Sequence, residues 1–188
     1  AVLMRASWCS FTLEAELSRR GIPFVKVGGL RLAEAAHVKD VVAHLRVAEN
    51  SADTVAWNRI LRLVDGVGTA SAGRLLEWIG QAATGGDALA LRDAQVRLPA
   101  RAADGLGALT TALASLRDDD AAPAEQLERL LAYYAPLLPR LYPDSHADRA
   151  ADLDALVAIA ARHRSRTHFL EALALEPLDH TSEPSDAA

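Results

Sequence analysis

Apolar residues along this chain fall into two regimes. In the first 27 positions they gather in short runs, and Ala1–Arg5 (AVLMR) and Phe24–Val27 (FVKV) read as buried strands. Between them Ser10–Arg20 (SFTLEAELSRR) has the spacing of an amphipathic helix, which Gly21 caps and Pro23 prevents from resuming. Strand, helix, strand predicts a parallel pair with a crossover, the unit of an α/β sheet. Two strands alone are too few to be stable. These orphan strands are therefore expected to pair with chain lying elsewhere or with a second copy, as a homodimer. Ala1, followed at once by a β-like run, reads as the start of an excised piece.

After Gly28-Gly29 the period becomes helical and no further strand is predicted. Ala33–Ala48 puts Val38, Val41, Val42 and Leu45 on one face, and Asp53 or Ser51 can cap a helix over Thr54–Val64. A Gly66/Gly68 turn leads into Ala70–Ile79. Gly80–Asp87 reads as a loop and Leu89–Val96 as a weaker segment ended by Pro99. Asp104–Arg117 reads as helical despite Gly105 and Gly107, and Asp118-Asp119-Asp120 as a solvated linker before a helix beginning near Pro123. Leu127, Leu130, Leu131 and Tyr134 form an apolar face that Pro136 and Pro139 interrupt. Ala147–Arg162 and Thr167–Leu175 are the last two helices, and the Pro-, Ser- and acid-rich 176–188 is expected to be a disordered tail.

Composition narrows this picture. The chain has 188 residues, enough for one domain and part of another, with 51% hydrophobic and 24% charged residues. The 5% aromatic content is too low for extended base-stacking platforms, and the single cysteine, Cys9, excludes an internal disulfide. No apolar run is long enough to span a membrane and nothing reads as a signal peptide, so no membrane partner is expected. The net charge of −5 is unevenly spread. Residues 1–80 hold 10 Lys+Arg against 8 Asp+Glu, whereas 81–188 hold 10 against 17, so a polyanion should prefer the first part.

The stretch Leu63–Ile79 (LVDGVGTASAGRLLEWI) carries the clearest chemistry. Two glycines one residue apart, directly before a helix, fit the h-x-G-h-G-x-x-x-A pattern of a helix-hairpin-helix. Glycines let the backbone take positive φ and approach a phosphate with no Cβ in the way. The helix that follows offers unpaired N–H groups and its positive dipole end. In this reading Gly66, Val67, Gly68, Thr69 and Ser71 form a DNA-phosphate contact. Val67 pins the turn to the core, and Arg62 and Arg74 reach flanking phosphates. Such binding reads the backbone and is sequence-nonspecific and salt-sensitive. The alternative is a tight αα-hairpin whose glycines only cap helices. No lysine follows in the next helix, which argues against a lyase-type glycosylase.

Arg19–Asn50 (RRGIPFVKVGGLRLAEAAHVKDVVAHLRVAEN) resembles superfamily 1 DNA helicases of the UvrD/PcrA/Rep type, with Gly21-Ile22-Pro23, Gly28-Gly29, Arg31, Val38-Lys39-Asp40 and Leu45-Arg46 carrying the match. The preceding AVLMRASWCSFTLEAEL resembles the family's motif IVa at Arg5, Ser10 and Glu14, with Ser7 in place of asparagine and Phe11 in place of arginine. The resemblance implies a mainly α chain. Residues 1–27 would be a short β-α-β strip of the RecA-like 2A domain, 28–175 a helical 2B-like domain containing the hairpin, and 176–188 the tail. It further implies single-strand contact at Arg5 and Ser7, a hinge at Gly28 and Gly29, and DNA contacts at Arg31 and Lys39. The implied partners are duplex DNA and the fork junction, together with the remaining domains of an ATP-dependent 3′–5′ helicase in the bacterial cytoplasm, associated with the nucleoid.

The chain itself has no G-x-x-x-x-G-K-[ST] phosphate loop and no acidic pair with its partner motifs. The expectation is that the fragment carries no catalytic residue and no cofactor, ATP and Mg belonging to the intact parent. His37 with His44, and His163 with His168, lack metal-ligand spacing and are read as solvated or capping groups, with no metal expected. Arg162-His163-Arg164-Ser165-Arg166 reads as a charge complement to a helix C-terminus, and Trp57 and Trp78 as packing residues. A stand-alone helical module that uses the hairpin to contact a partner protein is the competing function.

Overall fold

A computed structural model describes residues 19–24, 32–82, 98–117 and 121–175, together with the single positions 2, 13, 14, 16, 17 and 91. All regular structure among the described residues is helical. A 3-10 turn at Leu32–Glu34 leads into α1 (Ala36–Glu49), followed by α2 (Thr54–Leu61), α3 (Thr69–Ala82), α4 (Ala100–Ser115) and α5 (Pro123–Tyr134). A second 3-10 turn at Ala135–Leu137 runs into the short α6 (Leu138–Leu141), and α7 (His146–Ala160) and α8 (Arg166–Leu175) complete the bundle.

The strands expected at Ala1–Arg5 and Phe24–Val27 lie outside the described residues, except for Val2 and Phe24, neither of which is in a strand. Described positions between Leu13 and Arg19 are helical, as expected for Ser10–Arg20. That helix ends as its sequence requires: Gly21 takes φ +63°, and the Ile22 amide reaches back to the Leu17 carbonyl at 2.9 Å. Gly28, Gly29, Arg31, Arg5, Ser7, Cys9 and the tail 176–188 lie outside the described residues.

Helix α1 is the axis of the fold. It packs against α2, α5, α7 and α8, so burial extends well beyond the predicted valine stripe. Val38, Val41, Leu45 and Val47 are fully enclosed, but so are His37, Asp40 and His44. This corrects the expectation of solvated or capping histidines: a helix wrapped on several sides has little solvent face to give its polar residues. Desolvation of His44 lowers its pKa to about 4, against the hydrogen bond its Nδ1 makes with the Asp40 carbonyl at 2.8 Å. Burial likewise lowers His37 to about 4, assisted by Arg149, whose Nη1 donates to His37 Nδ1 at 2.7 Å. Both rings are neutral at physiological pH.

Buried polar groups need partners, and Asp40 gathers several. Its Oδ1 accepts from Arg59 Nε at 2.6 Å, and its Oδ2 from the hydroxyls of Tyr134 at 2.8 Å and Tyr142 at 3.3 Å. Burial, and then the Asp40 charge, push both phenols upward from their usual pKa. One carboxylate thus ties α1 to α2, α5 and the turn after α6. Arg166 plays a similar part for α8. It is 7% exposed, pairs with Glu49 at 2.8 Å, and donates to the Leu116 carbonyl at 2.7 Å and to Gln126 Oε1 at 3.1 Å. The basic cluster at 162–166 therefore does complement a helix C-terminus through Arg166, but that of α4 rather than of α7, which the cluster follows.

Candidate nucleic-acid interface

The glycine turn sits between two firmly anchored helices. Asp53 caps α2, its carboxylate accepting from the Ala56 amide at 2.9 Å. Partial burial opposes the Asp53 charge, but that amide and the Arg46 guanidinium outweigh it and hold the carboxyl below its ordinary pKa. Trp57 is fully buried in α2 and donates from its indole to the Ser51 carbonyl at 2.9 Å, whereas Trp78 in α3 is half-buried. Both are packing residues, as expected. At the far end of α2, Arg140 Nη2 reaches across from α6 to cap the Leu63 carbonyl at 2.5 Å.

Seven residues, 62–68, connect α2 to α3. Leu63, Val64 and Val67 are buried along this connection, so Val67 anchors the turn as predicted. The two glycines have different jobs, which corrects the idea that both supply positive φ. Gly66 takes φ +82°, while Gly68 stays out of the left-handed region. A Cβ on Gly66 would lie 3.0 Å from Arg101 Nε, 3.1 Å from Arg101 Cγ and 3.3 Å from the Ala102 Cβ. A Cβ on Gly68 would meet nothing within 4 Å. Gly66 thus lets the chain reverse against α4, and Gly68 presents bare backbone to solvent. The α4 backbone can come this close because Gly105 faces Val64, where an added Cβ would sit 2.7 Å from Val64 Cγ1.

Helix α3 starts immediately after Gly68. Its first internal hydrogen bond runs from the Ala72 amide to the Gly68 carbonyl at 2.9 Å, which makes Gly68 the N-cap. The preceding amides of Thr69, Ala70 and Ser71 have no acceptor within the helix. Thr69 and Ala70 are exposed and Ser71 half-buried, so the positive end of α3 opens outward. Arg74 is exposed on the second turn, with Nη2 at 3.4 Å from Ser71 Oγ, and Arg62 is exposed at the C-cap of α2.

Of the other site residues read from sequence, Lys39 is exposed on α1 and faces Arg62 across the α1–α2 cleft, away from the glycine corner itself. Two arginines escaped the sequence reading. Arg101 lies against Gly66 and 3.9 Å from Asp65, an exposed pair, and Arg140 fixes the entry to the turn. Both come from helices 35 or more residues downstream in the sequence, and no local pattern could have assigned them. Among the described residues, the assembled corner offers amides with no intrahelical acceptor, two hydroxyls and the cations Arg62, Arg74 and Arg101, with Asp65 as an acidic neighbour. That is chemistry suited to an oxyanion such as a phosphate. Among the described residues there is no cluster of three or more metal-ligating side chains, and no helix is long and apolar enough to cross a membrane.

The first part of the chain is similar to a known family. Residues 1–85 match the UvrD-like helicase C-terminal domain. The ATP-dependent DNA helicase UvrD1 of Mycobacterium tuberculosis is 46% identical over 61 residues, 32% of this chain and 8% of that protein. The ATP-dependent DNA helicase PcrA of Staphylococcus epidermidis is 33% identical over 72 residues, 38% of this chain and 10% of that protein. A probable DNA helicase II homolog of Rickettsia conorii is 32% identical over 63 residues, 34% of this chain and 10% of its own length. The matched segment spans about a tenth of each of these relatives. The UvrD-type resemblance read from Arg19–Asn50 is borne out, and the family match includes the glycine turn.

Proposed function

We propose that this chain is the accessory 2B region, with a strip of the 2A domain, of an ATP-dependent 3′–5′ DNA helicase, and that it holds duplex DNA near the unwinding fork through backbone phosphates. The observation that carries this reading is the corner at Gly66–Ser71, where a Cβ-free N-cap leaves the first amides of α3 open to solvent with arginines on either side. An αα-hairpin serving only as a connection needs Gly66 for its positive φ. It has no need of a bare Gly68, a position where serine or aspartate would cap the helix at least as well. In this reading Gly66 and Val67 shape the corner, Gly68, Thr69 and Ser71 meet the phosphate, and Arg62 and Arg74 attract its neighbours. Lys39 and Arg31 extend the basic track, Gly28 and Gly29 form the hinge of the arm, and Arg5 and Ser7 touch single-stranded DNA. ATP and Mg belong to motor domains of the parent in the bacterial cytoplasm.

Fluorescence anisotropy with a tailed duplex at two salt concentrations tests the proposal. The full chain should bind weakly, prefer duplex over single strand, and lose affinity as salt rises. Arg62→Glu combined with Arg74→Glu should abolish binding while circular dichroism stays helical. Unchanged binding by that variant would remove the corner from the interface. Absence of any DNA binding, with the fold intact, would favour a module that contacts protein.

A further inference from the structure

A cleft of about 560 Å³ runs between α1 and α2, with Arg62 of the α2 C-cap among its lining. Lys39, Val42, Ala43 and Arg46 line it from α1, and Val55, Asn58, Arg59 and Arg62 from α2, together with the buried Asp40 and Ala56. Each helix contributes a stripe at i, i+3 or i+4, and i+7, the spacing of a single helical face. The distribution along the cleft is ordered. Arg46, paired with Asp53, and the 74% exposed Val55 stand toward the end where α1 passes into α2; Lys39, Arg59 and Arg62 stand toward the other; and Val42 and Ala43 lie between Lys39 and Arg46 along α1. Seven residues of helix separate Lys39 from Arg46, about 10 Å. Arg46 and Arg59 have internal partners in Asp53 and Asp40, but no carboxylate pairs with Lys39 or Arg62 among the described residues. A nucleic-acid backbone uses the cations and has no use for an exposed valine beside them. The complementary ligand is a peptide with one aliphatic side chain set between carboxylates about 10 Å apart.

The chain carries such a segment. Residues 176–188 (EPLDHTSEPSDAA) contain Glu176, Asp179, Glu183 and Asp186 and no Lys or Arg, and Leu178 lies between the first two acids. Glu176 and Asp179 are three positions apart in sequence, a separation that extended chain would make about 10 Å, and a residue before proline, as Glu176 is, disfavours helix. The segment follows α8, which packs on α1, the helix that forms one wall of the cleft. Its 13 residues can span about 40 Å. We infer that the α1–α2 cleft docks this acidic segment, with Leu178 against Val42 and Val55 and the flanking carboxylates on the cationic ends. Docking does not depend on the DNA reading. Its consequence does: the docked segment would occupy Lys39 and Arg62 and compete with duplex DNA, restraining the arm until the segment is displaced.

A spin label at Ser185→Cys, in a Cys9→Ser background of the full chain, tests the docking by methyl NMR. Val42 and Val55 signals should lose most of their intensity beside the oxidised label. They should recover when the segment is neutralised as E176Q, D179N, E183Q and D186N, or when Leu178→Asp removes the apolar anchor. Intensities that neutralisation does not restore would overturn the inference, as would broadening that grows with protein concentration, since that marks contact between copies. A segment docked for about nine-tenths of the time weakens DNA binding about tenfold, so the neutralised chain should bind duplex about tenfold more tightly. Methyl broadening without that gain overturns the competition alone. Broadening in a chain that binds no DNA leaves docking in place and removes the DNA reading.

Discussion

Gly68→Asp separates a phosphate site from a simple helix cap, because the two readings demand opposite outcomes. Gly68 is the N-cap of α3, its φ is ordinary, and an added Cβ meets nothing within 4 Å, so aspartate fits without displacing any neighbour. Aspartate is a better N-cap than glycine by a few tenths of a kcal/mol, since its carboxylate accepts from the second or third amide of the helix. The charge at the positive end of α3 contributes about 0.3–1 kcal/mol more. Together these should raise the melting temperature by about 1–6 °C for a domain of this size. The same carboxylate takes the amides that a phosphate would use and repels the phosphate itself. Losing one charge-assisted hydrogen bond costs about 1.5–3 kcal/mol, roughly a 10- to 150-fold loss of duplex affinity. Removing one phosphate contact should also lower the slope of log affinity against log salt by about 1. Gly68→Asn has nearly the same shape without the charge. It should keep the cap and lose less affinity. Thermal melts and anisotropy titrations on the three proteins decide the matter. A stabilised Asp variant that binds duplex as tightly as the parent chain would refute the assignment of these amides to DNA.

Three further outcomes follow from the packing. Gly66→Ala should destabilise the fold by about 1–3 kcal/mol in urea titrations, because φ +82° is strained for alanine and Arg101 must move aside. Asp40→Ala should cost about 3–5 kcal/mol by stranding Arg59 and two phenols, while Tyr134→Phe should cost less, about 1–3 kcal/mol. Stability should also fall as pH drops from 7.5 to 5. Folded His44, with its pKa lowered to about 4, stays neutral where the unfolded ring takes up a proton, so its contribution is complete above about 6.5 and shrinks as pH falls toward 4. For His44 the loss at pH 5 is on the order of 2 kcal/mol, and His37 adds to it in the same direction. His44→Leu should flatten the profile, and an unchanged urea midpoint between those pH values would contradict the buried neutral rings.

Local signals made much of the helical frame legible. Asp53 as N-cap, Gly21 as C-cap and Pro123 at the first turn each satisfy backbone groups within a few residues, so sequence spacing is enough to place them. The family resemblance, carried by Gly21-Ile22-Pro23 and Val38-Lys39-Asp40, was legible for the same reason. What failed was anything set by distant contacts. The two histidines of α1 read as solvated or capping groups, and only the later helices α5, α7 and α8 enclose them together with Asp40. Gly105 looked like a weakness in α4 until its contact with Val64 gave it a reason. At the corner, the local motif treats the paired glycines alike. Which of them bends the chain and which stays bare depends on Arg101 and Ala102, beyond the reach of a local motif.

The most direct test is a ¹⁵N NMR titration of the full chain with a tailed duplex at low salt. The account predicts that the amides of Gly68, Thr69, Ala70 and Ser71 shift most, ahead of every other backbone resonance, and that added salt reverses the shifts. If the duplex binds and these four amides stay still while another surface responds, the α3 N-terminus does not grip DNA.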